Sequence, residues 1–248
     1  DTPKAISIGV KKRTTGLRMQ DLTFTQLDGA LEEGRMIAGI MKNAHFSPNL
    51  YINAAATEKK LASIDSPYIL HMATHGFFLD TLVKNTGKNN QGPNALRAVA
   101  PMMKEHQSKL INVDPLVRAG LAMVGANEGI NGIKQKDGYD GILTALEAVA
   151  LDLEGTALVT LSACETGVGE VRNGEGVYGL QRAFQEAGAK AVLSTLWSIS
   201  DEGTQAFMKE FYGRFLKGTT SQKALLETQT TFIKSKKWNH PFYWAPFV

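Results

Sequence analysis

The sequence holds one cysteine, Cys164, in 248 residues. That excludes an internal disulfide framework and a cysteine-based zinc site, and it fits a reducing compartment such as the cytoplasm. No apolar run approaches the length that spans a bilayer, and the N-terminus lacks the basic-then-apolar pattern of a signal peptide. Charge of one sign is scarce as well. The 27 Lys+Arg exceed the 24 Asp+Glu by only +3. The basic residues are scattered, apart from Lys11–Arg13 and Lys234–Lys237, so neither nucleic acid nor a membrane surface is an expected partner. There is no internal repeat and no low-complexity tract.

What is present is the composition of a globular protein, 43% apolar and 21% charged, with enough chain to bury a sizeable core. One domain over 1–248 is expected. Because the chain starts at Asp1 and stops in the apolar pair Phe247-Val248, it is expected to be the C-terminal part of a longer protein.

Apolar periodicity gives an α/β reading. Ala5–Val10 reads as a first strand and Leu27–Met41 as a helix, with Glu32, Glu33 and Arg35 off its apolar face. Asn49–Ile52 reads as a short strand. Thr57 is placed to cap a helix from Glu58 to Ile64. Tyr68–Ala73 is a buried strand that leads to His75. The polar, glycine-rich stretch inside Asp80–Val113 reads as an insertion on the surface, and its place beside the histidine also suits a cover over the site.

Leu121–Val124 is then a short strand, Gly141–Leu151 a helix and Ala157–Leu161 a buried strand that leads to Cys164. Glu175–Ala187 follows as an amphipathic helix with Gly188 as its C′ residue. Ala191–Leu196 is the next strand, expected parallel to the cysteine strand. Helices are expected over Asp201–Leu216 and Ser221–Ile233, the second capped by Thr220 or Ser221. HPFYWAPFV reads as an aromatic edge strand.

A cysteine and a histidine, each just past the carboxyl end of a buried strand, meet at the edge where open α/β sheets place their ligands. A thiol is a strong nucleophile once ionised, and an imidazole beside it can hold it so. In this reading Cys164 attacks a carbonyl, and His75 takes the thiol proton and returns it to the leaving amine. The backbone N–H groups of Gly76 and Cys164 are the expected oxyanion donors. Thr74 or a backbone carbonyl is available to orient the ring.

Other chemistry fits less well. His71 and His75 are four apart but lack the acidic partner of a zinc motif. Gly167–Gly176 lacks the Gly-Lys-Ser/Thr ending of a phosphate loop and carries Glu170 and Glu175. No metal and no cofactor is expected.

The stretches LSACETG (Leu161–Gly167), NGEGVYGLQRAFQEAGAKAVLSTLWSISDE (Asn173–Glu202), HMATHG (His71–Gly76) and HPFYWAPF (His240–Phe247) resemble the CHAT domain. This is the caspase-like peptidase family often found behind tetratricopeptide repeats and related to caspases and separases. The resemblance implies a caspase–haemoglobinase α/β sandwich, with a mostly parallel central sheet and helices on both faces. It implies clan-CD cysteine endopeptidase chemistry on the His75–Cys164 dyad. It also implies a protein substrate and activation by a partner or an upstream repeat or sensor domain, in defence, cell-death, gasdermin-linked or CRISPR-linked pathways.

By the same resemblance, Ser194–Ser200, including Trp197 and Ser198, faces the substrate backbone. Asp201, Asp80 and Glu165 are candidates for an acidic S1 pocket that selects Arg or Lys. Two readings compete with a peptidase: a non-catalytic caspase-like scaffold, and an acyl- or amidohydrolase acting on small molecules.

Overall fold

Leu70, Val159 and Val192 lie side by side at the centre of the structure, a computed structural model that describes residues 22–78, 116, 118–133, 135–162 and 175–248. β1 (Ile69–Ala73), β5 (Leu158–Ser162) and β6 (Val192–Ser194) form a parallel sheet in the order β1-β5-β6. The expected pairing of the cysteine strand with its successor is thus observed, with Val159 opposite Val192.

Alternation along these strands sends side chains to two different cores. Leu158 packs with Ile37 and Met41 of α1 (Asp28–Asn43) and with Phe207, Phe211 and Tyr212 of α6 (Asp201–Phe215). α7 (Ser221–Lys234) adds Ala224 and Phe232 to this layer. Val159 and Leu161 point the other way, onto Leu180, Ala183 and Phe184 of α5 (Glu175–Glu186). The sheet therefore carries helices on both faces, as the sequence led us to expect.

A second, antiparallel sheet was not foreseen. β2 (His75–Phe78), β3 (Ala119–Ala122) and β4 (Ile142–Thr144) pair in that order. Phe77, Ala122 and Ile142 pack under Leu22, Phe24, Ala126 and Ile130. Gly141–Leu151, read as one helix, is instead β4 followed by α4 (Ala145–Ala148). Thr144 makes the break: its side chain accepts from the Glu147 N–H while Glu147 reaches back to the Thr144 N–H, a capping box.

Asn49–Ile52 is not a strand; a 3-10 turn follows at Asn53–Ala55. Between α1 and β1, α2 (Glu58–Ala62) is capped by Thr57 as expected. Gly188 ends α5 at φ +110°, where a Cβ would also meet the Glu154 backbone at 2.8 Å.

The aromatic C-terminus is a helix before it is a strand. α8 (Pro241–Trp244) starts at a proline, with His240 as its cap. The strand character begins at Phe247, which bridges antiparallel to Thr195 on the edge of β6. Ala5–Val10 and the insertion at about 80–113 lie outside the described residues.

Candidate functional site

The histidine strand breaks in two at Thr74. β1 ends at Ala73, and the Thr74 hydroxyl donates to the Ala122 carbonyl of β3, tying the crossing to the second sheet. His75 opens β2 opposite Ala122. Its Nε2 lies 2.7 Å from the Thr25 carbonyl oxygen. A carbonyl only accepts, so Nε2 carries the proton and Nδ1 is left with its lone pair. The backbone carbonyl named among the options in the sequence is therefore the ring's partner, and Thr74 is not.

Thr25 is held in place by its neighbour. The Asn127 side chain accepts from the Phe24 N–H at 2.8 Å and donates to the Phe24 carbonyl at 2.7 Å. Asn127 sits in α3 (Ala126–Gly129), just after β3. The Phe24 ring lies 5.6 Å from the His75 imidazole and 5.8 Å from Phe77. This apolar wall leaves His75 only 5% exposed. Burial lowers its pKa and the Thr25 carbonyl works against that, so the neutral, proton-accepting ring is favoured. His75 also lines a groove of about 1200 Å³ that runs along α1 and past Thr74, Ala122 and Asn127. Gly76 follows His75 in β2, opposite Leu121.

His71 does not share a face with His75. It points from β1 toward α1 and α6, where it meets Glu33 and Tyr212. Among the described residues no three of His, Cys, Asp and Glu are arranged to hold a metal, and no helix is long and apolar enough to cross a membrane.

Cys164, Glu165 and Asp80 lie outside the described residues. β5 is described as far as Ser162, which pairs with Ala73 of β1. The two strands are in register as far as this pair, and the chain runs on from one to His75 and from the other to Cys164.

Three of the proposed substrate residues lie beyond β6. The outer edge of that strand is taken by the chain itself: the N–H groups of Ser194 and Leu196 bond the carbonyls of Val248 and Pro246 at 2.9 Å. Trp197 is half-buried and donates its indole N–H to the Phe242 carbonyl at 3.2 Å, while Ser198 is exposed. Asp201 opens α6, but the cap is Ser200. The Asp201 residue as a whole is exposed, yet its carboxyl lies against α1, where a Cβ on Gly29 would fall 2.3 Å from it. Burial there, then the carboxylates of Glu33, Glu32 and Asp28, push its pKa above the ordinary carboxylate value.

A family model for the CHAT domain matches residues 1–248. The chain belongs to the CHAT domain family. CHAT domains are caspase-like, and the parallel β1-β5-β6 sheet between helical layers is consistent with that fold. Over 107 residues the chain is 35% identical to Tetratricopeptide repeat protein 28 of Homo sapiens, and to the protein of the same name in Mus musculus. That match covers 43% of this chain and 4% of either relative. The resemblance read from SACETG and THG is thus a family membership.

Thr25 and Asn127 carried no signal in the sequence, one acting through its backbone and the other from the four-residue helix α3. Glu33, read from the sequence as off the apolar face of α1, is instead on the stripe that α1 buries, four residues before Ile37 and eight before Met41, and that spacing was its signal.

Proposed function

We propose that this CHAT domain is a cysteine endopeptidase in which Cys164 is the nucleophile and His75 the base. The observation that carries the proposal is the His75–Thr25 contact at 2.7 Å. It leaves one ring nitrogen, Nδ1, to accept a proton, at the strand edge from which the chain runs on to Cys164.

The steps follow from those groups. Nδ1 of His75 takes the thiol proton, and the sulfur forms a bond to the scissile carbonyl carbon. The C=O pair moves onto oxygen, where the N–H groups of Gly76 and Cys164 are the proposed donors. As the C–N bond breaks, His75 returns the proton to the leaving amine, and a thioester remains. Water then attacks with His75 again as base, releasing the acid and the thiol.

The substrate is a protein. Asp201, with Glu33, Glu32 and Asp28 around it, supports a preference for Arg or Lys at P1, with Trp197 and Ser198 beside the bound backbone and Glu165 a further acidic candidate. Similarity to a tetratricopeptide repeat protein supports control by a repeat domain or partner. A cytoplasmic role in defence or cell death, CRISPR-linked or gasdermin-linked, rests on the family resemblance.

The test is digestion of a proteome-derived peptide library by the chain beside Cys164→Ala. Cleavage that vanishes in the variant supports the proposal. Cleavage by both overturns it, and cleavage by neither, with an upstream repeat region added, favours a scaffold.

A further inference from the structure

Glu33 is an acidic side chain in an apolar layer. It stands on α1 and is 4% exposed. Its Oε2 accepts the Ser162 hydroxyl at 2.9 Å, and its Oε1 faces His71 Nε2 at 3.2 Å. His71 Nδ1 is 3.0 Å from the Tyr212 hydroxyl, which is 2.8 Å from the Thr160 hydroxyl. His71 and Thr160 are register partners on β1 and β5, and Ser162 is the last residue of β5.

The protons of this chain run consistently. Thr160 donates to Tyr212, Tyr212 to His71 Nδ1, His71 Nε2–H faces Glu33, and Ser162 donates to the other oxygen of Glu33. Tyr212 is fully buried, and burial holds its phenol far above the usual tyrosine value, so it remains a neutral donor. Oε1 of Glu33 and Nε2 of His71 have no hydrogen-bond partner, and what each faces is the other, as an ion-pair contact at 3.2 Å. Buried polar groups of this kind are costly unless they face one another. The carboxylate therefore has a definite task, and its two oxygens go to the two strands that lead to His75 and Cys164.

We propose that Glu33 is a positioning residue: through Ser162, the last residue of β5, and His71, at the middle of β1, it ties the two strands together and so sets the spacing of the thiol and the imidazole. It touches neither reacting atom. This rests on the Cys164–His75 reading above and adds the element that holds the two strands in step. A hydroxyl is needed at 162, because an alanine there leaves Oε2 unpaired. A carboxylate is needed at 33, because an amide has one acceptor oxygen, and Ser162 and His71 Nε2–H both require one.

The experiment reads the rate of Cys164 alkylation by iodoacetamide at pH 7 on the whole chain, with folding checked by circular dichroism and melting. Cys164 is the sole cysteine, so uptake reports one site. Ser162→Ala and Glu33→Gln should each slow alkylation at least fivefold. Ser162→Thr, which keeps the hydroxyl, should stay within twofold of the parent. The double variant should be no slower than the slower single, as both act through one contact. Glu227→Gln, a surface carboxylate paired with Arg214 and Lys223, should alkylate at the parental rate. If Glu33→Gln does not fold, the two Ser162 variants decide alone.

Parental rates in folded Ser162→Ala overturn the clamp, as does failure of Ser162→Thr to restore the rate. If His75→Ala slows alkylation in the same assay while these variants do not, only the clamp has failed. If His75→Ala has no effect either, the dyad reading has failed and takes the clamp with it.

Discussion

His75 Nε2 donates across 2.7 Å to the carbonyl of Thr25, a residue fifty positions earlier in the chain. The contact fixes both the tautomer and the orientation of the ring. It also makes His75 depend on a segment outside its own strand. That segment is held by Asn127, which bonds both backbone groups of Phe24.

Asn127→Ala should therefore act on the site from outside it. Two hydrogen bonds are lost, each worth about 0.5–1.5 kcal/mol net, so the melting temperature should fall by several degrees. Alkylation of Cys164 should slow as well, because the Thr25 carbonyl is no longer pinned. Asn127→Asp keeps the acceptor for the Phe24 N–H and loses the donor, and it should lie between the parent and the alanine variant. Both readouts come from one preparation, by calorimetry and thiol labelling.

Two buried groups should give the stability opposite dependences on pH. His75 has a folded pKa below its ordinary value of 6.5, so the unfolded chain binds more protons there. Stability should fall as pH drops below about 6.5. Glu58 is the reverse. Desolvation, then the carboxylates of Glu147 and Asp140, raise its pKa from 4.5 to about 7 although it accepts the Gly141 N–H. Here the folded chain binds more protons, and stability should fall as pH rises from about 4.5 to about 7. At about 1.4 kcal/mol per pKa unit this is up to roughly 3 kcal/mol. Urea melts of Glu58→Gln should lose that decline and keep the acid one, and His75→Asn should do the opposite.

Phe247 stacks on Phe207 with ring centroids 3.6 Å apart and planes 6° from parallel, both rings fully buried. Phe247→Ala should cost about 3–5 kcal/mol in urea unfolding. The same change should loosen the outer edge of β6, because Thr195 bridges to Phe247. Hydrogen exchange at Ser194 and Leu196 should then rise, and unchanged protection would separate the ring stack from the edge pairing.

Asp201→Ala tests the P1 preference. Cleavage after Arg or Lys should drop at least tenfold, while alkylation of Cys164 stays near the parental rate. A peptide library read by mass spectrometry gives the answer, and an unchanged P1 profile removes Asp201 from the pocket.

The sequence carried the elements whose signal is local. α1 was legible because Ile37 and Met41 recur at helical spacing. β1, β5 and β6 were legible as short apolar runs, and Thr57 and Gly188 by their capping chemistry. The second sheet was not. Of its strands only β3 was read, two residues late as Leu121–Val124 where the structure has Ala119–Ala122, because Ala-Gly-Leu-Ala has little strand preference of its own and pairs between His75–Phe78 and Ile142–Thr144. GILTALEAVAL read as one helix because its apolar content hides the break that Thr144 and Glu147 make. At the site, the histidine was visible from its glycine neighbour and strand, and its partner was not. A backbone carbonyl has no side-chain identity to read, and the contacts of Glu33 with Ser162, 129 residues later, belong to tertiary packing alone.

The most direct test is the reaction of Cys164 with a thiol-directed electrophile at neutral pH, in the parent and in His75→Ala. The account predicts fast labelling at pH 7, with a rate that follows a thiol pKa well below the ordinary value of about 8.5, and a fall of at least tenfold in His75→Ala. Labelling at the rate of an ordinary thiol, unchanged by His75→Ala, would contradict it and leave the domain as a caspase-like scaffold.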